Sequence, residues 1–252
     1  MKLPESCIQA QFSRRYKRFL ADFQTGDGSI LTAHCANTGS MLGLLQPGAP
    51  ALLSHATDPR RKLSYTWELV HEHQSWVGIH TGRANAIVRE YLEQGMPPAL
   101  GGYNRIQAEV TLAELSEPGS HARGSSSKGS PSHHSRLDFR LDGENRPPCF
   151  LEVKSVTLRQ GDEALFPDAV TNRGRQHLED LARLNQMGYR SVILFLVQRE
   201  DCQRFRPASH IDPAYAATLR RVVEAGVEIM AFRCKVGLEA IRLDQAIPWD
   251  LG

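Results

Sequence analysis

"CFLEVKSVTL", residues 149–158, places an acid and a lysine inside a run that otherwise reads as a buried strand. Glu152 and Lys154 are two positions apart, so in a strand both side chains leave one face while Leu151 and Val153 leave the other. Such a pair either sits at a solvated strand end or holds a metal and a phosphate. The acid-x-Lys tripeptide decides nothing alone: with 28 acids and six lysines in 252 residues, chance supplies about 0.7 of them. Its surroundings carry more. One strand earlier, "RLDFRLD" (136–142) sets Asp138 between Leu137 and Phe139. If the two strands pair as a hairpin, Asp138 lies beside Glu152 on the same face. Paired carboxylates repel unless a cation or a shared proton offsets the charge.

Two readings of that face stay open. Oxygen ligands from Asp138 and Glu152 suit Mg²⁺ or Mn²⁺, which keep further positions for water and phosphate. Lys154 would then face a scissile phosphate or orient the attacking water. Glu90, on the preceding helix, is a candidate third carboxylate, and Gln176 and His177, early in the following helix, are candidate supporting residues. Alternatively, the acids lie on a solvent face and Lys154 is an ordinary cross-strand ion-pair partner.

Outward from this strand, the chain alternates helices and strands. "ANAIVREYLEQG" (84–95) has helical spacing and a terminal glycine. Strand patterns follow at 104–112, 135–142 and 149–158. A helix with an apolar stripe of Leu178, Leu181, Ala182 and Leu184 spans 172–188. "RSVILFLVQ" (190–198) reads as a central parallel strand, 212–226 as a helix opened by Asp212 and Pro213, and 227–236 as a last strand. The order from residue 84 is αβββαβαβ, a mixed α/β domain over 83–240, with 241–252 as a tail. Residues 116–135, "SEPGSHARGSSSKGSPSHHS", are rich in Ser, Gly and His and read as a flexible insertion between two strands. Its histidines, His121, His133 and His134, belong to that solvated loop.

The front of the chain differs. Short strand patterns at 18–24, 29–37, 49–55, 63–73 and 75–80, bounded by Gly, Pro, Asn or Asp, predict a small barrel of OB type over residues 1–82. Residues 1–66 carry eight Lys/Arg against four acids, whereas the whole chain is only +2. Positive charge is therefore concentrated on the barrel. Arg14, Arg15, Lys17, Arg18, Arg60, Arg61 and Lys62 are candidate phosphate contacts. Tyr16, Tyr65 and Trp67 are either base-stacking platforms or barrel core. "NTGSM" (37–41) reads as a turn, with phosphate binding by its amides as the alternative.

Composition excludes other classes. No run approaches the ~18 apolar residues of a membrane helix, and the N-terminus lacks the apolar core of a signal peptide. The five cysteines are scattered without a CxxC pair, which points away from a zinc site or a disulfide framework and toward a reducing, cytoplasmic setting.

The strand-borne Asp138…Glu152-x-Lys154 set, in an αβββαβ order, resembles the PD-(D/E)xK nuclease core, the restriction-endonuclease-like fold. Longer stretches are more specific: "RRYKRFLADF" (14–23), "AHCANTGSMLGLLQPG" (33–48), "DPRRKLSYTWELV" (58–70), "EVKSVTL" (152–158), "FPDAVTNRGRQHLEDL" (166–181) and "IDPAYAATLRR" (211–221). Together they look like the sugar fermentation stimulation protein A (SfsA) family. The resemblance implies an N-terminal OB-fold joined to a nuclease-type domain, non-specific binding of single- or double-stranded DNA, and a link to regulation of sugar, especially maltose, metabolism. Carried over by position, the nuclease-type residues are Asp138, Glu152 and Lys154. Two departures stand out: Ala36 replaces a proline usual in the family, and the 116–135 insertion is longer than the family's. Whether this site cuts a phosphodiester or only grips DNA is left open by the residues.

Overall fold

The computed structural model describes residues 1–95, 97–112 and 135–252. The insertion expected at 116–135, with its three histidines, lies outside the described residues apart from Ser135.

The first sheet is a closed barrel. Strands β1 (Cys7–Tyr16), β2 (Leu20–Gln24), β3 (Ile30–His34), β4 (Pro50–His55) and β5 (Tyr65–Glu72) are joined in the order β3-β2-β1-β4-β5, and a parallel β3–β5 contact, Ala33 opposite Tyr65, closes the ring. This is the OB arrangement expected. β6 (Ser75–Gly78) extends β5. The long β1 was not foreseen. Gln9, Ala10 and Gln11 have poor strand propensity, yet β1 is held by ladders on both sides, to β2 and β4. Its inward residues Ala10 and Phe12 join Phe23, Trp67 and Val70 in the barrel core.

The second sheet runs β15-β14-β12-β9-β8-β7. Its strands are β7 (Arg105–Thr111), β8 (Arg136–Asp142), β9 (Cys149–Val156), β12 (Arg190–Val197), β14 (Glu228–Val236) and β15 (Ile241–Ala246). β9, β12 and β14 are parallel, while β8 is antiparallel to β9. Helix α1 (Arg83–Gln94) packs Ile87, Val88 and Leu92 on the face bearing Leu151, Val153 and Leu194. Helices α2 (Asn172–Gln186) and α3 (Pro213–Glu224) cover the other face, where Leu178, Leu181 and Leu219 meet Phe150, Ile193 and Phe195. Thr171 caps α2 through the Gly174 amide, and Asp212 caps α3 through that of Tyr215. Residues 241–246, expected as part of a tail, instead form an edge strand antiparallel to β14. Their charged and polar residues hid a strand that needs only one buried face.

A small third sheet, β10 (Leu158–Gln160), β11 (Glu163–Phe166) and β13 (Arg204–Pro207), flanks the sheet end. Buried ion pairs tie the barrel to the rest. Arg199, 1% exposed, holds Glu72 of β5 and Asp201, and Arg83 at the start of α1 holds the buried Glu68 at 2.6 Å. Truncating one partner of such a pair strands a buried charge, so these contacts lock the barrel to the sheet. Among the described residues no helix is long and apolar enough to cross a membrane.

Candidate functional site

The β8–β9 ladder pairs Leu141 with Cys149, Arg140 with Phe150 and Phe139 with Leu151, and ends there. Beyond it the strands part, and the Asp138 carboxylate takes over what a backbone carbonyl would otherwise do. Its Oδ2 accepts from the Val153 amide at 2.8 Å, and its Oδ1 accepts from Asn85 Nδ2 at 2.7 Å. The strand alternation that put Glu152 and Lys154 on one face turns both toward α2. There Lys154 Nζ donates to Glu152 Oε1 at 2.6 Å, and His177 Nδ1 reaches the same oxygen. An ionised carboxylate only accepts, so Nδ1 is the protonated nitrogen in this contact.

The electrostatics are unequal. Asp138 is pushed up to about 6, first by burial and then by the charge of Glu152; the two donated hydrogen bonds only partly offset this. Burial would also lift Glu152, but Lys154 and His177 outweigh it and hold the group below the usual carboxylate range. Glu152 is thus the permanent charge and Asp138 the strained one.

The pair fits a divalent cation. Glu152 is 2% exposed, and its Oε2 has no hydrogen-bond partner among the described residues. A buried acceptor without a donor is costly. A cation shared with Asp138 would satisfy that oxygen and remove the repulsion that raises Asp138. No cluster of three His, Cys, Asp or Glu side chains stands ready among the described residues, so waters or phosphate oxygens would complete the shell.

These groups form the floor of a cleft of about 560 Å³ between sheet and barrel. Its walls include Arg18 and Thr38 from the barrel, Asn85 from α1, and Asp168 and Arg173 from the approach to α2 and its first turn. A clasp closes the barrel side. Ser40 Oγ donates to the Asp168 carbonyl at 2.6 Å, and the Met41 amide donates to Asp168 Oδ2 at 2.9 Å. Gly39 sits so close that an added Cβ would stand 2.6 Å from that oxygen. Of the amides of "NTGSM", that of Met41 is therefore engaged by a carboxylate of the protein itself and that of Gly39 by the Asn37 side-chain oxygen.

Not every expected residue gathers here. Glu90 lies five positions after Asn85 on α1, which turns it about 140° around the helix and moves it about 7.5 Å along it. It pairs instead with the Met1 ammonium, in a separate pocket with Tyr91 and Arg242. Gln176 bonds its own helix neighbour Asp180 at 3.0 Å and does not line the cleft. Trp67 is no stacking platform. It is fully buried, stacked on Phe12 at 5.0 Å, with its indole N–H donating to the Leu69 carbonyl. Tyr65 is half-buried against His55. Arg15 is a brace, donating to the carbonyls of Arg18, Asn37 and Gly39. Arg14 pairs with Asp22, Arg60 with Asp58, and Arg61 donates to Thr66. Lys17 and Lys62 are exposed, and Arg18 is both exposed and on the cleft wall. Asn85, inside the helix expected at 84–95, and Asp168, inside the family-like stretch 166–181, are not singled out by the sequence, because nothing local marks either side chain as facing the cleft.

Comparison with known proteins places this architecture. Residues 14–79 match the model described as the SfsA N-terminal OB domain, and residues 119–240 match that of the sugar fermentation stimulation protein RE domain. A sugar fermentation stimulation protein homolog from Nitrosococcus oceani is 47% identical over 254 residues, covering all of both chains. The chain belongs to the SfsA family. A second SfsA relative, from Maricaulis maris, is 43% identical and covers 100% of this chain and 99% of its own. The solved structure of Pyrococcus furiosus SfsA in complex with Ca²⁺ superposes with a TM-score of 0.81 at 25% identity, over 99% of this chain and 98% of that one. That SfsA structure spans the same two-part architecture, from barrel to final strand.

Proposed function

We propose that this chain binds DNA with little sequence preference between its barrel (residues 1–82) and its sheet unit (83–240), and hydrolyses phosphodiester bonds there with a divalent cation held by Asp138 and Glu152. The observation that carries the reading is the buried, unpartnered Oε2 of Glu152 beside a carboxylate, Asp138, that burial and the Glu152 charge together raise to about 6. When bound, Mg²⁺ or Mn²⁺ would polarise the scissile phosphate and acidify an attacking water. Asp138 and Glu152 hold the cation, with Asn85 and the Val153 amide fixing the Asp138 carboxylate. His177 anchors Glu152, and Lys154 directs positive charge at the phosphate as negative charge develops. Arg18 and Arg173, both lining the cleft, grip flanking phosphates, which makes binding salt-sensitive. The Ca²⁺ bound by the Pyrococcus furiosus relative supports an oxygen-ligand cation site.

Labelled single- and double-stranded DNA incubated with the protein in Mn²⁺ or in EDTA tests this. Cleavage should require Mn²⁺, and Glu152→Gln should slow it at least about 100-fold, since cation polarisation supplies several kcal/mol. Salt-sensitive binding with no cleavage of any substrate would refute the hydrolase and leave a DNA-gripping regulator of sugar metabolism.

A further inference from the structure

The turn between β1 and β2 presents an aromatic surface that the barrel core does not use. Phe19 is 42% exposed, and its ring lies over the imidazole of His34 on β3, with centroids 6.3 Å apart and planes 18° from parallel. The turn is well fixed. The Phe19 amide donates to the Lys17 carbonyl at 2.7 Å, and the Phe19 carbonyl accepts from the Cys35 amide at 2.8 Å. Lys17 and Arg18 both have left-handed backbones, φ 46° and 64°, which side-chain-bearing residues adopt rarely. That geometry turns the Arg18 guanidinium back beside the Phe19 ring, 6.0 Å from its centroid, while it donates to the Thr38 carbonyl at the cleft wall. Partial burial, helped by the charge of nearby Arg61, pushes His34 below the ordinary histidine range. At neutral pH its ring is uncharged, and Arg18 and Arg61 supply the positive charge around it.

We propose that Phe19 and His34 form a stacking platform for an unpaired nucleobase, from which a single strand passes over Arg18 into the Asp138–Glu152 cleft. The inference rests on the nucleic-acid reading above and adds its substrate class. A base in a duplex already has both faces stacked, so only a splayed base presents one to an aromatic ring. The cleft points the same way. About 560 Å³ is the size of a small-molecule site, room at its floor for a nucleotide or two of a strand led in from the platform. The Asp168 clasp bounds it on the barrel side, next to the platform.

Binding of the full-length protein in EDTA, where cleavage plays no part, separates the two readings. The probes are a labelled single strand, the same strand with abasic sites, and a blunt duplex. Phe19→Ala should bind the base-bearing strand about 10-fold more weakly, with an unchanged salt slope because no phosphate contact is lost. It should match the wild type on the abasic strand, and Phe19→Trp, which keeps a ring, should retain affinity. Wild-type-like binding of the base-bearing strand by Phe19→Ala, or an equal loss on the abasic strand, would overturn the platform while leaving the nucleic-acid reading intact. A wild-type protein that binds none of the three probes would overturn both.

Discussion

Replacing Asp138 by Asn should stabilise the metal-free protein, because the native carboxylate is held ionised where burial and Glu152 oppose it. Its pKa rises from an ordinary 3.8 to about 6. At 1.36 kcal/mol per unit, that shift costs the folded state about 3 kcal/mol wherever the group is ionised in both states. A raised carboxyl pKa means that stability is retained below the unfolded value near 4 and lost as pH climbs through 6. At pH 8 the loss is complete. Asn removes the charge but offers one carbonyl oxygen where the carboxylate served two donors, the Asn85 side chain and the Val153 amide. One donor left without its acceptor returns about 1–2 kcal/mol. The net gain at pH 8 is therefore about 1–2 kcal/mol, which for a chain of this size raises Tm by about 2–8 °C. The assay is thermal unfolding of both proteins in EDTA between pH 4.5 and 8, read as a difference so that other titrating groups cancel. The gain should shrink toward zero at the acid end. Excess Mn²⁺ should raise the wild-type Tm far more than the variant's, since the variant lacks one of the two charged ligands. A variant less stable than wild type at pH 8, or a gain that does not change with pH, would show that Asp138 is an ordinary satisfied acceptor and refute the electrostatic account of the site.

Two other perturbations separate core from surface on the barrel. Trp67→Ala should lower stability by about 3–5 kcal/mol, seen as an earlier denaturant midpoint, because it empties a fully buried site between Phe12 and Phe23. Trp67→Phe should leave affinity for the labelled single strand unchanged in the same binding assay that detects Phe19→Ala. Gly39→Ala should destabilise by about 1–2 kcal/mol by displacing the Asp168 carboxylate from the Met41 amide. The penalty should largely vanish in an Asp168→Ala background, and a double-mutant cycle with no coupling would rule out the clasp.

Much of the architecture was legible because it rests on short-range periodicity. Alternation in "CFLEVKSVTL" put Glu152 and Lys154 on one face, and the structure keeps them there at 2.6 Å. The αβββαβαβ order needed only the helical spacing at 84–95 and 172–188 and the apolar run at 190–198. His177 could be found because it lies early in the helix that follows the motif strand. Glu90 could not be excluded without knowing how α1 is rotated, since the spacing that marks a helix does not say which flank of its polar side meets the sheet. β1 and β15 were hidden for a related reason. β1 is polar and takes its second ladder from β4, far along the chain, while β15 is a polar edge strand paired with its neighbour β14.

Trp67 marks the boundary most clearly. Period-2 alternation states which residues share a face but not which face turns inward when a sheet closes, and closure here depends on β3 meeting β5 across the ring. Once it closes, Trp67 becomes core, while Phe19, expected within a strand over 18–24, lies in the turn before β2 and is left outside. By itself, then, the sequence determined the helix and strand order of the main sheet from residue 84 to β14, the family, and the shared face of Glu152 and Lys154, all properties of neighbours along the chain. Only the tertiary structure decided that Asp138 faces Glu152 where β8 and β9 part, that Asn85 rather than Glu90 attends it, and that Asp168 clasps the barrel. Those contacts join residues tens to more than a hundred positions apart, and local patterning carries no term for such distances.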